Sequence, residues 1–299
     1  MNKTILDKIN KLTTIYQSLA TAHPQAVKEI TLAEIPEQVF NSNAIENSTL
    51  TLKDTEDILI RGQIQRDAEV REIYEAKNLA RALDLLAENP KQNLTVELIL
   101  ALHNILLTGI NDHFAGRFRS GDEWVRVGTH IGTNPNLVNS LVYKLVDNYI
   151  AKDDREFITK IAYFHAEFEF IHPFIDGNGR IGRVLINQQL AKLGLPPIII
   201  PAKNKHQEYY PTLDAYDHEQ KLEPLEDYLS ILLLEALHKY IAIINGTKLI
   251  TVSDWATKHK TSASSMLNKA KRQTIPAFRL RGQWHLPADF IDTTDVELS

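Results

Sequence analysis

The twelve residues from His172 to Arg183 bring together side chains suited to one kind of chemistry, and they read His-Pro-Phe-Ile-Asp-Gly-Asn-Gly-Arg-Ile-Gly-Arg. Glycines let a ligand approach the backbone, and free N–H groups at the start of a helix attract anions. Arginine forks fit phosphate oxygens, an aspartate suits a phosphate-bound Mg²⁺, and a histidine can accept a proton near neutral pH. The stretch therefore predicts a site for a polyphosphate, its metal ion and a base that activates a hydroxyl.

Two helical patterns flank these residues. Apolar side chains recur every three or four positions from Phe157 to Ile171, and a second apolar pattern runs from Ile181 to Leu193. Between them, Gly177 and Gly179 can adopt positive φ, and Asn178 adds an amide donor. The sequence therefore predicts a helix, a tight loop and a second helix whose first turn binds the anion.

The stretch matches every specified position of His-x-Phe-x-(Asp/Glu)-Gly-Asn-Gly-(Arg/Lys)-x-x-Arg, the core motif of the Fic family, which the chain therefore resembles. A plain tight turn is the alternative, but such a turn requires Gly and Asn without the flanking His, Asp and Arg. The resemblance implies an all-α fold, a Fic-type helical bundle with a small β-hairpin flap. It also implies a protein adenylyltransferase, which transfers AMP from ATP to a Ser, Thr or Tyr hydroxyl of a target protein.

The resemblance also implies a role for each residue of the motif. His172 would deprotonate the target hydroxyl, and Asp176 would bind the Mg²⁺ that bridges the α- and β-phosphates. Arg183 would hold the γ-phosphate, and Arg180 would steady the phosphate site. The loop residues that cradle the phosphates would be Gly177, Asn178 and Gly179.

A second pattern of the family, (Ser/Thr)-x-x-x-Glu-(Gly/Asn), marks an inhibitory helix, and residues 42–47 match it as Ser-Asn-Ala-Ile-Glu-Asn. Ser42 and Glu46 would share one helix face. Glu46 would form a bidentate pair with Arg183 and so occupy the arginine meant for the γ-phosphate. A plain surface glutamate is one alternative. Another is an enzyme that removes AMP, in which Glu46 orients a water molecule.

Residues 115–134 lose the helical spacing, and glycines and β-formers alternate there with polar residues. We interpret them as a short hairpin, which is either a plain surface turn or the flap of the family. In a flap, the target backbone would add as a strand. The docking edge would consist of Arg126, Val127, Gly128 and Thr129.

Aromatic residues follow the motif at Tyr209 and Tyr210. In the family, this region covers the adenine ring, so either tyrosine could pack near the base of ATP. Burial in the core is the equally weighted alternative. Asp217 stands near a position where some relatives have an Asn that bonds adenine, which puts that contact in doubt here.

Composition narrows the remaining possibilities. The 299 residues include no cysteine, which excludes disulfides, thiol catalysis and cysteine-ligated metals. The formal net charge of −5 does not suggest that the whole molecule binds nucleic acid. The sequence shows no signal peptide and no membrane span, so we expect a cytoplasmic protein with access to ATP and no membrane partner. Self-modification and a homodimer are further expectations from the resemblance.

Three regions are predicted: an N-terminal helical region over 1–110, a Fic core over 111–245 and a winged-helix-like domain over 246–299. The last region is basic, and its pattern suggests two helices followed by two strands. Winged helices dock proteins or bind DNA, and we favour a docking or structural role over DNA binding through residues 248–285. A DNA-binding regulator whose Fic body only senses ATP is the alternative function from another class.

Overall fold

The structure is a computed structural model that describes residues 3–64, 66–128, 130–151 and 154–292. The chain forms two compact units, and the larger one comprises Thr31–Leu229. The smaller unit combines Met1–Ile30 with Ser230–Ser299. It therefore joins the two ends of the chain, a grouping that local sequence patterns do not reveal. The domain boundaries expected from the sequence stay a prediction.

Helices dominate both units, as predicted. In chain order, they are α1 (Lys3–Ala22), α2 (Pro24–Ala33), α3 (Ile35–Ile45), α4 (Leu52–Glu56), α5 (Val70–Glu88), α6 (Val96–Leu107), α7 (Pro135–Ile150), α8 (Phe157–Ile171), α9 (Asn178–Lys192), α10 (Tyr210–Glu219), α11 (Glu223–Ile244), α12 (Val252–Lys258) and α13 (Ala263–Lys271). Irregular helical turns cover Asp57–Arg61, Ala202–Asn204 and Lys205–Tyr209. No helix of the described residues is long and apolar enough to span a membrane.

The larger unit is built around the two helices predicted on either side of the motif. Phe164 and Phe168 of α8 and Leu185 of α9 are fully buried in one apolar core with side chains of α5, α6 and α7. Thr95 caps α6, since its hydroxyl accepts a hydrogen bond from the N–H of Leu98 at the start of the helix. This packing fixes α8 and α9 and therefore the loop between them.

The predicted hairpin is present and short. Strands β1 (Arg126–Val127) and β2 (His130–Ile131) pair antiparallel in register Arg126–Ile131 and Val127–His130. The non-helical chain before it passes through Gly116, whose φ of 69° lies in the left-handed region. A Cβ at that glycine would press against Asn104 of α6, so the close approach of loop to helix requires glycine.

The smaller unit contains α1, α12 and α13 with a three-stranded antiparallel sheet in the order β3-β5-β4. Its strands are β3 (Leu249–Thr251), β4 (Phe278–Leu280) and β5 (Gln283–Pro287). Val252, Trp255, Met266 and Leu286 share its apolar core. The element order agrees with the helix–turn–helix and two strands expected from the sequence, while the winged-helix assignment itself stays a prediction.

Candidate active site

The loop after α8 begins and ends with residues in the left-handed region, His172 at φ 51° and Gly177 at φ 86°. Phe174 is fully buried and anchors the loop in the core. The side chain of Asn178 accepts a hydrogen bond from the N–H of Phe174 and donates one to its carbonyl, both at 2.8 Å. This side chain therefore closes the loop, and the backbone N–H of Asn178 is the group that it can offer to an anion.

The candidate base is held in one tautomer. Nδ1 of His172 lies 3.2 Å from the carbonyl oxygen of Glu169. A carbonyl can only accept, so Nδ1 carries the hydrogen and Nε2 has its lone pair available. Burial lowers the pKa of His172 to about 4, which keeps the ring neutral at pH 7. The geometry and the charge state both suit a proton acceptor.

A buried arginine before the flap, which the sequence analysis did not single out, holds the end of α8. Arg119 is 1% exposed, and its Nε donates to the carbonyl of His172 at 2.6 Å. Its Nη2 donates to the carbonyls of Ile171, at 2.9 Å, and of Thr133. One guanidinium thus joins the candidate base to the chain that follows the flap. In the sequence it looks like an ordinary surface arginine in a polar stretch.

His103 of α6 packs against the loop and supports it. Its ring stacks on Phe174 with centroids 3.6 Å apart. Because its Nδ1 accepts a hydrogen bond from the N–H of Gly116 at 3.1 Å, its Nε2 donates to the carbonyl of Asp176 at 3.0 Å. Burial lowers its pKa to about 4, so it is a neutral scaffold residue at pH 7.

Asp176 and Arg180 lie in a network of four charged side chains. Nη2 of Arg180 is 2.9 Å from Oδ1 of Asp176, and its Nη1 is 3.0 Å from Glu75. Arg71 contacts the other oxygen of Asp176 at 2.5 Å and also pairs with Glu75. These residues line an open cleft of about 670 Å³. The sequence analysis missed Arg71 and Glu75, because α5 carries no motif that distinguishes them from other helix-surface charges.

The Asp176 carboxylate fits a Mg²⁺ shared with phosphates. Burial would raise its pKa, but the guanidiniums of Arg180 and Arg71 hold the pKa below its ordinary value, so the group is ionised. About a third of its side chain is exposed on the cleft. Mg²⁺ is bound by one or two carboxylates together with substrate phosphates, and this donor set is of that kind.

Ser42 and Glu46 meet Arg183, as predicted. Nη2 of Arg183 donates to Oε1 of Glu46 and to the carbonyl of Ser42, each at 2.8 Å, and Nε donates to the Ser42 hydroxyl at 3.0 Å. The expected bidentate pair is instead a contact through Oε1, because Ser42 engages Nε. Although burial alone would raise the pKa of Glu46, Arg183 lowers it, and Glu46 in turn helps to raise the pKa of Arg183.

Glu46 also lies against the first turn of α9. A Cβ at Gly179 would clash with Oε1 of Glu46 and would lie 2.9 Å from Nη1 of Arg183. The first N–H groups of a helix have no partner inside it and favour anions. The carboxylate of Glu46 therefore occupies the position that the sequence predicted for phosphate oxygens.

The last turn of α3 is held by residues after the motif. Nζ of Lys205 donates to the carbonyls of Ala44 and Ile45, at 3.1 and 2.7 Å, and to the side chain of Asn47 at 2.7 Å. The Tyr210 hydroxyl donates to the carbonyl of Ile45 at 3.0 Å. A cation at a helix C-terminus is stabilising. These four hydrogen bonds position the turn that carries Glu46.

Tyr209 lies in the core and not on the cleft. It is 1% exposed, and its hydroxyl is 2.7 Å from Nε2 of His165. The expected contact of Tyr209 with adenine does not agree with this placement, since its ring is enclosed. Its neighbours include Glu169, whose pKa burial raises to about 8, so that this carboxyl is neutral at pH 7. Tyr209, His165 and Glu169 form a buried polar cluster beside Arg183.

The predicted docking edge is at the surface. Arg126, Val127 and Gly128 are exposed, and Thr129 lies outside the described residues. His130 of β2 lies 2.9 Å from Asp217 through Nδ1 and 2.9 Å from the carbonyl of Phe170 through Nε2. Asp217 therefore ties the flap to α10.

Comparisons with known proteins agree with this geometry. Residues 93–190, which include the whole motif, match the model of the Fic/DOC family. The chain contains a Fic domain. The protein adenylyltransferase Fic of Nematostella vectensis is 30% identical over 226 residues, which are 73% of this chain and 51% of that protein. The chain spans about half, or less, of the length of the curated relatives it matches.

Solved structures show the same fold. A Fic domain-containing signaling protein from Bacteroides thetaiotaomicron superposes with a TM-score of 0.72 at 27% identity, covering 80% of this chain and 97% of that one. A Fic family protein from Desulfovibrio desulfuricans has a TM-score of 0.64 at 21% identity and covers 98% of each chain. The second likeness concerns the fold alone and extends beyond the Fic domain. Ser42 and Glu46 lie outside the range matched by the family model, so their assignment rests on the contacts above.

Proposed function

We propose that this protein transfers AMP from ATP to a Ser, Thr or Tyr hydroxyl of a target protein, and that Glu46 restrains the transfer. One observation carries the proposal: Glu46 lies on Arg183 and on the first turn of α9, while a neutral His172 stands at the start of the same loop. The names of the curated relatives, protein adenylyltransferase, support the reaction.

In the proposed reaction, the neutral ring of His172 acts as the base. Nε2 of His172 takes the proton of the target hydroxyl as its oxygen attacks the α-phosphorus of ATP. The bond from the α-phosphorus to the oxygen shared with the β-phosphate breaks, and diphosphate leaves. The Nδ1–H donated to the Glu169 carbonyl holds the ring in place throughout. Because burial disfavours the imidazolium, His172 then gives up its proton to solvent or to the diphosphate.

The remaining work is charge stabilisation and positioning, as is typical of transfer at phosphorus. The first N–H groups of α9 and the guanidinium of Arg180 face the phosphates. Arg183 binds the γ-phosphate once Glu46 has left it. Asp176 is the carboxylate that would hold Mg²⁺, which neutralises phosphate charge when bound.

Glu46 would restrain AMP transfer because it occupies the place on Arg183 that the γ-phosphate of ATP needs. Arg183 already uses Nε and Nη2 on Ser42 and Glu46, so a γ-phosphate must compete with an ionised carboxylate. Two anions cannot share the first turn of α9 without strong repulsion. ATP then either fails to bind or binds with its α-phosphate out of line for attack.

Labelling with ATP tests the proposal. Wild type, Glu46→Gly, Glu46→Gln and Glu46→Gly/His172→Ala are incubated with Mg²⁺ and ATP that is radioactive at the α- or the γ-phosphate, alone and with cell lysate. We expect α-label on protein that is weak in wild type, strong in Glu46→Gly, intermediate in Glu46→Gln and absent without His172. Label from the γ-position would mean a kinase, and equal label in wild type and Glu46→Gly would contradict the restraint.

The alternative in which Glu46 removes AMP makes the opposite prediction. Protein labelled by Glu46→Gly is repurified and mixed with unlabelled wild type. Loss of AMP with wild type but not with Glu46→Gln would assign a catalytic role to Glu46 in hydrolysis. Stable label supports restraint alone.

The proposal also covers the location, the targets and the oligomeric state of the enzyme. We place it in the cytoplasm, where ATP is available, and we include the protein itself among its targets. We also propose a homodimer, which light scattering can test directly. The labelling reaction without lysate measures self-modification.

A further inference from the structure

The second helix of the smaller unit, α13, has one polar exposed face. Met266 and Ala270 are buried against the core of the unit. The exposed side chains share one face, at spacings of one, three and three residues, and are Ser264, Ser265, Asn268 and Lys271. Each of them can donate a hydrogen bond.

Exposed positive charges flank α13 in the chain, and one lies in the β4–β5 turn of the same unit. Lys258 and Lys260 precede α13, Lys271 and Arg272 end it, and Arg281 lies in the turn between β4 and β5; all five are exposed. That turn has φ values of 51° and 78° at Arg281 and Gly282, which project it as a tight hairpin tip. Residues 246–292 carry eight lysines and arginines against three aspartates, in a chain whose formal net charge is −5. The charge of this region is therefore opposite to that of the rest.

The surface lacks the features of a protein-docking site. Among the described residues from 246 onward, Ile291 is the one large apolar side chain that is well exposed. Protein interfaces centre on buried aromatic or aliphatic anchors and are depleted in lysine. From the sequence we favoured a docking or structural role over DNA binding. The exposed surface favours DNA binding instead, and the sequence alone could not show which side chains are exposed.

The scaffold presents the face as a unit. α12 and α13 are joined by a short turn, and the sheet order β3-β5-β4 places β4 at one edge and β5 in the centre. α13 has nine residues, and an α-helix with its side chains is about 10–12 Å across, which matches the roughly 12 Å width of a DNA major groove. We propose that this unit binds duplex DNA, with α13 in the major groove and the Arg281 turn on the neighbouring phosphates.

The number of exposed cations sets the expected salt dependence of DNA binding. If all five exposed cations contact phosphates, the slope of log K against log salt is about −4.5, at about −0.9 for each phosphate neutralised. Binding to arbitrary sequence then has a Kd of about 10⁻⁶ to 10⁻⁴ M.

Fluorescence anisotropy with the full chain and a labelled 20-base-pair duplex of arbitrary sequence tests the proposal. We expect binding at 50 mM salt that weakens steeply with added salt. Lys271→Ala/Arg272→Ala and Lys258→Ala/Lys260→Ala should each reduce the magnitude of the salt slope by about 2 and weaken binding at least tenfold. The matched control, Lys77→Ala/Lys144→Ala, removes two exposed lysines of the larger unit and should leave the curve unchanged.

Three results would overturn the proposal. They are no binding at 50 mM salt, equal weakening by the control pair, and equal affinity for single-stranded DNA of the same length. Thermal melting of each variant verifies that it folds. The site is independent of AMP transfer, so Lys271→Ala/Arg272→Ala should label target protein as well as its parent does in the Glu46→Gly background.

Discussion

Oε1 of Glu46 lies 2.8 Å from Nη2 of Arg183, although 137 positions separate the two residues in the chain. The contact exists because α3 ends beside the first turn of α9 and because Gly179 has no side chain to prevent it. The arginine is 8% exposed and the glutamate 41% exposed, so the pair is open to solvent from the glutamate side only. We therefore expect the pair to open by movement of α3, whose glutamate faces solvent, and not by movement of the buried α9.

Lys205 should restrain the enzyme without touching the phosphate site. In Lys205→Ala, the carbonyls of Ala44 and Ile45 and the side chain of Asn47 each lose one hydrogen bond, and the turn that carries Glu46 becomes freer to move. We expect α-phosphate labelling to rise above that of wild type and to stay below that of Glu46→Gly. Lys203→Ala removes an exposed lysine two residues away and is the control. Labelling no higher than that of the control would mean that Lys205 has no part in the restraint.

Arg119 should control the rate of transfer by orienting His172. Arg119→Lys keeps the charge but loses the fork that reaches three carbonyls. In the Glu46→Gly background, we expect kcat to fall by about tenfold to a hundredfold with little change in KM for ATP, since small displacements of a reacting group are costly. Arg117→Lys, in the outer pair with Glu123, is the control. A change confined to KM would place Arg119 in nucleotide binding instead.

The pH dependence of labelling should show a histidine that is hard to protonate. A base works in its deprotonated form, so activity is lost as pH falls through its pKa. Burial lowers the pKa of His172 to about 4, and the rate in Glu46→Gly should therefore be flat between pH 6 and 8 and decline only near pH 4 to 5. Initial rates of α-label incorporation measure this. A decline centred on pH 6.5 would show that the ring is solvated in the working enzyme.

Glu169 should make the fold less stable at high pH. Burial raises its folded pKa to about 8, against about 4.3 in the unfolded chain, so between these values the folded state binds the extra proton. Stability therefore decreases as pH rises through that window and levels off above pH 8. Glu169→Gln resembles the protonated form and should melt at a higher temperature than wild type at pH 9, with a smaller difference at pH 5. Thermal unfolding followed by circular dichroism at the two pH values makes the comparison.

The sequence predicted the site best where the pattern of residue types has few explanations other than a ligand site. The Gly-rich loop, its histidine and its two arginines form a pattern that a plain turn does not need, and the structure brings them together. Glu46 was found only because a family pattern drew attention to it, since a glutamate at a helix end is usually a surface residue. Periodicity placed α5, α6, α8 and α9 because their apolar faces line one core.

The residues that were missed depend on tertiary contacts. Arg119, Lys205 and His130 act on carbonyls or carboxylates far away in the chain, and nothing in their local sequence distinguishes them from solvated side chains. Tyr209 is the opposite case, a residue for which the sequence suggested a role that its burial does not support. Its position after the motif suggested adenine, whereas its burial against His165 follows from how Lys205–Tyr209 packs. Such assignments require the fold.

In the proposed restraint, Glu46 is a tethered competitor of ATP, since Glu46 and Arg183 belong to one chain. Its effective concentration is set by the reach of α3 and does not change with the amount of enzyme. Dilution should therefore not activate the protein, and raising ATP should overcome the restraint only when ATP exceeds that local concentration. In this proposal, a signal that loosens the hold on the last turn of α3 would activate the enzyme at a constant ATP concentration.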